Sequence, residues 1–190
     1  MTTNVSLAAL LGSMSLAAAG QTGCSDSVAA PGDLIPSSIA GADDPFWKAD
    51  FAPVSQTSEN GPGDLSFGFA GFGKSGALQF SNGLVLQTVP IRQPKGTEAF
   101  GPGGPETWSN LLTLPKGVQV ELRQVTAQAA TPGVTPSLCG DQQTSFVAIG
   151  VRPGLNHPGS VSLAAFSGTA PGPKTGQSVL CGVYDYALPG

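Results

Sequence analysis

Eight consecutive residues, Gly68-Phe69-Ala70-Gly71-Phe72-Gly73-Lys74-Ser75, match the pattern G-x-x-x-x-G-K-[ST], in which backbone amides and a lysine cradle the phosphates of a nucleotide. That chemistry needs a helix opening directly after the loop, because the helix's first amides and its dipole hold the negative charge. Here Ser75 is followed by Gly76, a short apolar run and Asn82-Gly83, which reads as a strand and a turn. Phe69 and Phe72 would also stand where bare backbone must wrap phosphate, and the downstream α/β alternation that supports such a loop is missing. Lys74 is therefore expected to be a solvated strand-end or turn lysine, with Phe67, Phe69 and Phe72 as core.

Acid–base chemistry has little to draw on. The only histidine, His157, lies in Asn156-His157-Pro158-Gly159, a turn sequence that leaves an imidazole exposed and idle. No G-x-S-x-G elbow is present. Asp141, just after Cys139-Gly140, and Asp185, between Tyr184 and Tyr186, are the carboxylates nearest the C-terminal strands, and a solvated face or a loop hydrogen bond accounts for each. Asp43, Asp44 and Asp50 could touch a calcium ion but lack the ligand spacing of a calcium loop. Zinc is disfavoured because there is no C-x-x-C and a lone histidine cannot complete a four-ligand site. No catalytic residue, metal ligand or cofactor is expected.

The three cysteines divide into Cys24, beside an apolar leader, and a pair in the folded part, Cys139 and Cys181, in the similar contexts Leu138-Cys139-Gly140 and Leu180-Cys181-Gly182. A bridge between them would close a loop of about 43 residues, and the chain-entropy argument gives it about 4 kcal/mol. Two buried thiols in a reducing compartment are the alternative. Residues 1–25 carry no charged side chain, and residues 5–19 (VSLAALLGSMSLAAA) run apolar and small up to Gly23-Cys24. The stretch is too short and Ser-rich for a membrane span. It fits a secretory signal, cleaved after residues 17–19 or at Gly23-Cys24, where Cys24 would take a lipid anchor. Met1-Thr2-Thr3-Asn4 lacks the usual basic residue and Gln21 stands where an aliphatic is usual, so a retained N-terminal helix is the alternative.

These groups must be carried by one domain, since the chain has 190 residues. With 27 glycines and 17 prolines it is turn-rich, but 40% hydrophobic and 11% charged residues exclude a highly charged disordered chain. The net charge of -4 is unevenly placed: residues 25–64 hold seven acids and one base, while residues 65–190 hold five acids and seven scattered bases. Without a basic run or interleaved aromatics, nucleic acid is not an expected partner. Pro31, Pro36, Pro45, Pro53 and Pro62 interrupt any helix in the acidic stretch. The expected organisation is a leader over 1–24, an acidic proline-rich linker or arm over 25–64 and a β domain over 65–190, with Phe46, Trp47 and Phe51 packing onto that domain.

Within the domain, residues 65–72 alternate, residues 77–80 and 84–89 flank the hairpin signal Ser81-Asn82-Gly83, and residues 92–106 form a long loop. Residues 107–114 suit a strand or a short helix. Val118, Val120 and Leu122 alternate with Gln119, Glu121 and Arg123, the pattern of a half-buried strand with one wet face. Residues 144–151, 161–166 and 179–187 are further apolar strands between Pro/Gly loops. The fold class is all-β: an antiparallel sandwich or barrel of about seven or eight short strands behind a long irregular N-terminal arm.

The runs Phe146-Val147-Ala148-Ile149-Gly150, Ser162-Leu163-Ala164-Ala165-Phe166-Ser167-Gly168 and Leu180-Cys181-Gly182-Val183-Tyr184-Asp185-Tyr186 resemble uncharacterised exported β-rich proteins of Gram-negative bacteria. The resemblance covers residues 138–187 and brings no catalytic residue. It implies a cell-envelope location, periplasmic or attached to the outer membrane, and favours the Cys139–Cys181 bridge. The expected function is that of a non-enzymatic exported protein, a lipoprotein anchored through Cys24, whose disulfide-clipped domain binds an unknown protein or envelope component or gives structural support. The alternative is a virion or filament subunit that self-associates, with residues 1–64 as an inter-subunit arm. A hydrolase or nucleotide enzyme is a third reading.

Overall fold

Asn82-Gly83 makes the turn its sequence dictates: Gly83 has φ 93°, a region costly for side-chain-bearing residues, and Leu84 N–H donates to Asn82 Oδ1 at 2.9 Å. The turn joins β3 (Gly76–Phe80) to β4 (Val85–Arg92), and the same alternation of short runs and turns builds the rest. In the computed structural model, which describes residues 45–152, 154, 159–174 and 178–189, the other strands are β1 (Asp50–Pro53), β2 (Leu65–Phe67), β5 (Val120–Ala129), β6 (Phe146–Arg152), β7 (Ser160–Gly168) and β8 (Ser178–Ala187). Each strand pairs antiparallel with its successor and β8 pairs with β1, so the sheet closes as an eight-stranded up-and-down barrel. Closure removes the two edges that an open sheet would expose.

Alternation around the barrel sorts the side chains into two cores. Val147, Ile149 and Val151 of β6 meet Phe51, Leu65, Leu78, Leu86, Leu163 and Tyr186 inside the barrel, filling it as an eight-stranded interior allows. The intervening Phe146 and Ala148 of β6, with Val120, Leu122, Ala164 and Phe166, face outward. They are covered by the β4–β5 connection, whose single-turn helix α1 (Trp108–Leu111) is capped by Thr107, which accepts the Asn110 N–H. Trp108 and Leu112 are fully buried there, each contributing about 1.5–3 kcal/mol. A Cβ on Gly150 would meet Leu114 Cδ1 at 2.2 Å, so glycine lets this cover seat on β6. Burial on both faces is why β6 and β7 read as nearly continuous apolar runs. Residues 107–114 thus resolve to a short helix.

The expected boundary at Leu65 is corrected. Residues 45–48 form a 3-10 turn that buries Trp47, β1 lies between β2 and β8, and a second single-turn segment, Gln56–Glu59, packs on β8. There Ser58 Oγ accepts the Asp185 N–H at 2.9 Å and donates to the Asp185 carbonyl at 3.0 Å. Charge and proline content averaged over forty residues hide a four-residue strand whose one proline, Pro53, sits at its end. The barrel therefore starts before residue 65, and residues 1–44, with the leader and the rest of the expected linker or arm, lie outside the described residues.

Candidate functional site

Residues i and i+2 of a strand share a face, and on β5 that places Glu121 and Arg123 together inside the barrel, both side chains fully buried. Arg123 Nη1 donates to Glu121 Oε1. Its Nε donates to Thr88 Oγ1 at 2.8 Å and its Nη2 to the Lys74 carbonyl at 2.6 Å. The guanidinium carbon lies 3.9 Å from the Phe69 ring centroid, a cation–π contact. Glu121 Oε2 accepts the Gly73 N–H and the Gln93 side-chain amide. Burial pushes the guanidinium below its ordinary value, while the charge and hydrogen bond of Glu121 push the other way. Acid and base thus neutralise each other and are enclosed, so this pair does structural work.

The enclosing lid is the segment that matches the phosphate-loop pattern. Residues 68–75 join β2 to β3 without a helix, and Lys74 is exposed while its carbonyl is bound to Arg123. Gly73 and Lys74 turn their backbone inward onto charges of the chain itself, and Phe69 and Phe72 pack with Trp47 and Phe67 in an aromatic plug. The expected core role of these phenylalanines holds, with Phe69 buried and Phe67 and Phe72 half-buried. The expectation for β5 is corrected: its apolar face lies outside under α1, and the face expected to be wet is the barrel interior. Alternation shows which residues share a face, but only closure shows which face is inside.

At the opposite end the β5–β6 connection folds over the barrel mouth. Leu138 enters the core and its carbonyl accepts the Tyr184 hydroxyl at 2.9 Å. Cys139 and Cys181 are joined in a disulfide, Cα atoms 4.9 Å apart, tying this connection to β8. Burial pushes the phenols of Tyr184 and Tyr186 above their ordinary value; for Tyr186 the neighbouring Tyr184 adds to the shift and Ser58 slightly opposes it. Among the described residues the Tyr186 hydroxyl has no partner at hydrogen-bond geometry. Asp185 accepts from Ser162 Oγ at 2.6 Å across the β7–β8 pair, and Asp141 is exposed on the connection. Cys24, Asp43, Asp44 and His157 lie outside the described residues, and among those described no three His, Cys, Asp or Glu side chains are grouped to hold a metal.

A cleft of about 350 Å³ lies on this side between β5 and the residues leading into β6. Gln124, Thr126, Gln128, Gln143 and Ser145 line it with amides and hydroxyls, beside Phe146. Sequence reasoning missed it; the available signal was a ten-residue strand facing a seven-residue one, with glutamines at 124, 128 and 143. Comparison of the chain with protein-family models, with curated proteins and with solved structures finds no match.

Proposed function

We propose that this chain is a non-enzymatic exported protein of the cell envelope, a lipoprotein held at the membrane through Cys24, whose disulfide-clipped barrel serves binding or structural support. The Cys139–Cys181 disulfide carries the reading, because such bonds persist in oxidising compartments and are rare in reducing ones. The apolar stretch that ends at Cys24 supports the same destination. Glu121 and Arg123, the acid and base buried in the barrel, are bound to each other and to the lid, which supports a role without chemistry. The alternative of an assembly subunit reaching over its neighbours with residues 1–64 has less support, because residues 45–64 are built into the barrel.

Cell fractionation with intact-mass measurement tests the proposal. The expected product is an envelope-associated chain lacking residues 1–23, with acyl mass on Cys24 and no free thiol at Cys139 or Cys181. A cytoplasmic chain with Met1 intact and both thiols reactive overturns it.

A further inference from the structure

The backbone ladder between β5 and β6 stops short. Paired residues end at Gln124 and Phe146, one further bond runs from Val125 N–H to the Ser145 carbonyl, and the β5–β6 connection then turns away. Residues 126–129 of β5 have no strand beside them on that side among the described residues, and the 350 Å³ cleft opens there. We propose that this cleft binds a neutral, hydroxyl-rich ligand, a mono- or disaccharide unit. The inference deepens the binding role proposed above by naming a ligand class for it.

The lining chooses the ligand. None of the described side chains lining the cleft is charged, so a charged ligand finds no counter-charge among them, and the predominance of amides and hydroxyls leaves an apolar ligand facing unmatched polar groups. The exposed Gln124 and Gln143 keep their amides free of protein hydrogen bonds among the described residues, each offering an acceptor oxygen and two donor hydrogens. Gln128 accepts the Thr144 N–H at 3.3 Å through Oε1 and keeps its NH₂ to donate. Thr126 donates to the Gln87 carbonyl at 3.2 Å and keeps its lone pairs. A sugar hydroxyl both donates and accepts, as this set requires. The volume lies at the small end of the roughly 300–1,000 Å³ range of ligand pockets, which suits one or two sugar rings.

Separate NMR titrations of the purified full chain with cellobiose, maltose and chitobiose, and with an uncharged tetrapeptide, test this. At least one saccharide is expected to shift the amide resonances of residues 124–128 and 143–146 with a millimolar or tighter Kd. Q124A/Q143A, which alters two exposed side chains, should melt like the parent and bind about tenfold more weakly, the loss of about one hydrogen bond's worth of affinity. No shift with any saccharide, shifts elsewhere only, unchanged affinity in the double variant, or a response to the peptide alone overturns the inference. Because the titration uses purified protein, its outcome is independent of where the cell places the chain, so it fails or succeeds separately from export.

Discussion

Removing one member of the Glu121–Arg123 pair should destabilise the barrel more than removing both. Arg123→Met leaves a fully buried carboxylate held only by the Gly73 N–H and the Gln93 amide. Stranding a buried charge in this way costs about 3–5 kcal/mol, a large share of the roughly 5–15 kcal/mol that holds a domain folded. Glu121→Leu strands the guanidinium instead, leaving it Thr88 Oγ1, the Lys74 carbonyl and the Phe69 ring, at a similar cost. The double variant Glu121→Leu/Arg123→Met removes both charges. It still removes the partners of the Gly73 N–H and the Lys74 carbonyl, two part-buried bonds on exposed residues, at up to about 1–3 kcal/mol, partly offset by the apolar volume gained. Its expected loss is therefore about 1–3 kcal/mol, below either single variant. Urea unfolding followed by fluorescence provides the assay, since Trp47 and Trp108 are both fully buried and report the two cores. Single losses under about 1 kcal/mol, or a double loss equal to the sum of the singles, would show that the pair is not a desolvated, coupled unit.

Cys181→Ser is expected to lower stability by up to about 4 kcal/mol, and thiol labelling under denaturing, non-reducing conditions should find no free Cys139 in the parent. Calorimetric titration with Mg-ATP or Mg-GTP should show no binding; micromolar affinity lost in Lys74→Ala would reverse the account of the lid. A fragment starting at residue 62 should fail to fold, because it lacks β1 and the buried Trp47 and Phe51, whereas one starting at residue 45 should melt cooperatively in circular dichroism. Tyr186 has a folded pKa raised above its unfolded 10.0, so its contribution is intact below about pH 10 and is lost as pH rises from there toward the folded value, by at most about 1.4 kcal/mol per pH unit. Tyr186→Phe should flatten that alkaline slope in urea melts at pH 8 and 11 while leaving neutral stability nearly unchanged, and an unaltered slope would assign the loss to another group.

The features legible along the chain are local. The Asn82-Gly83 turn, the apolar runs of β6, β7 and β8 and the absence of a helix after Ser75 follow from turn chemistry and side-chain periodicity, which act over a few residues. Cysteine count favours pairing Cys139 with Cys181, since the third cysteine, Cys24, follows the apolar N-terminal stretch. Closure of the barrel settles the rest. Whether Val120 and Leu122 or Glu121 and Arg123 face the interior cannot be read from β5, because alternation is symmetric about the sheet and the choice is fixed by which face the other seven strands enclose. The membership of Asp50–Pro53 was equally hidden: four residues with one buried side chain, Phe51, carry too little periodicity to stand out in an acidic, proline-broken stretch. They become a strand because β2 and β8 supply hydrogen-bond partners on both sides. The β5–β6 cleft is likewise a product of unequal strand lengths meeting in one register, a quantity that exists only once the barrel is closed.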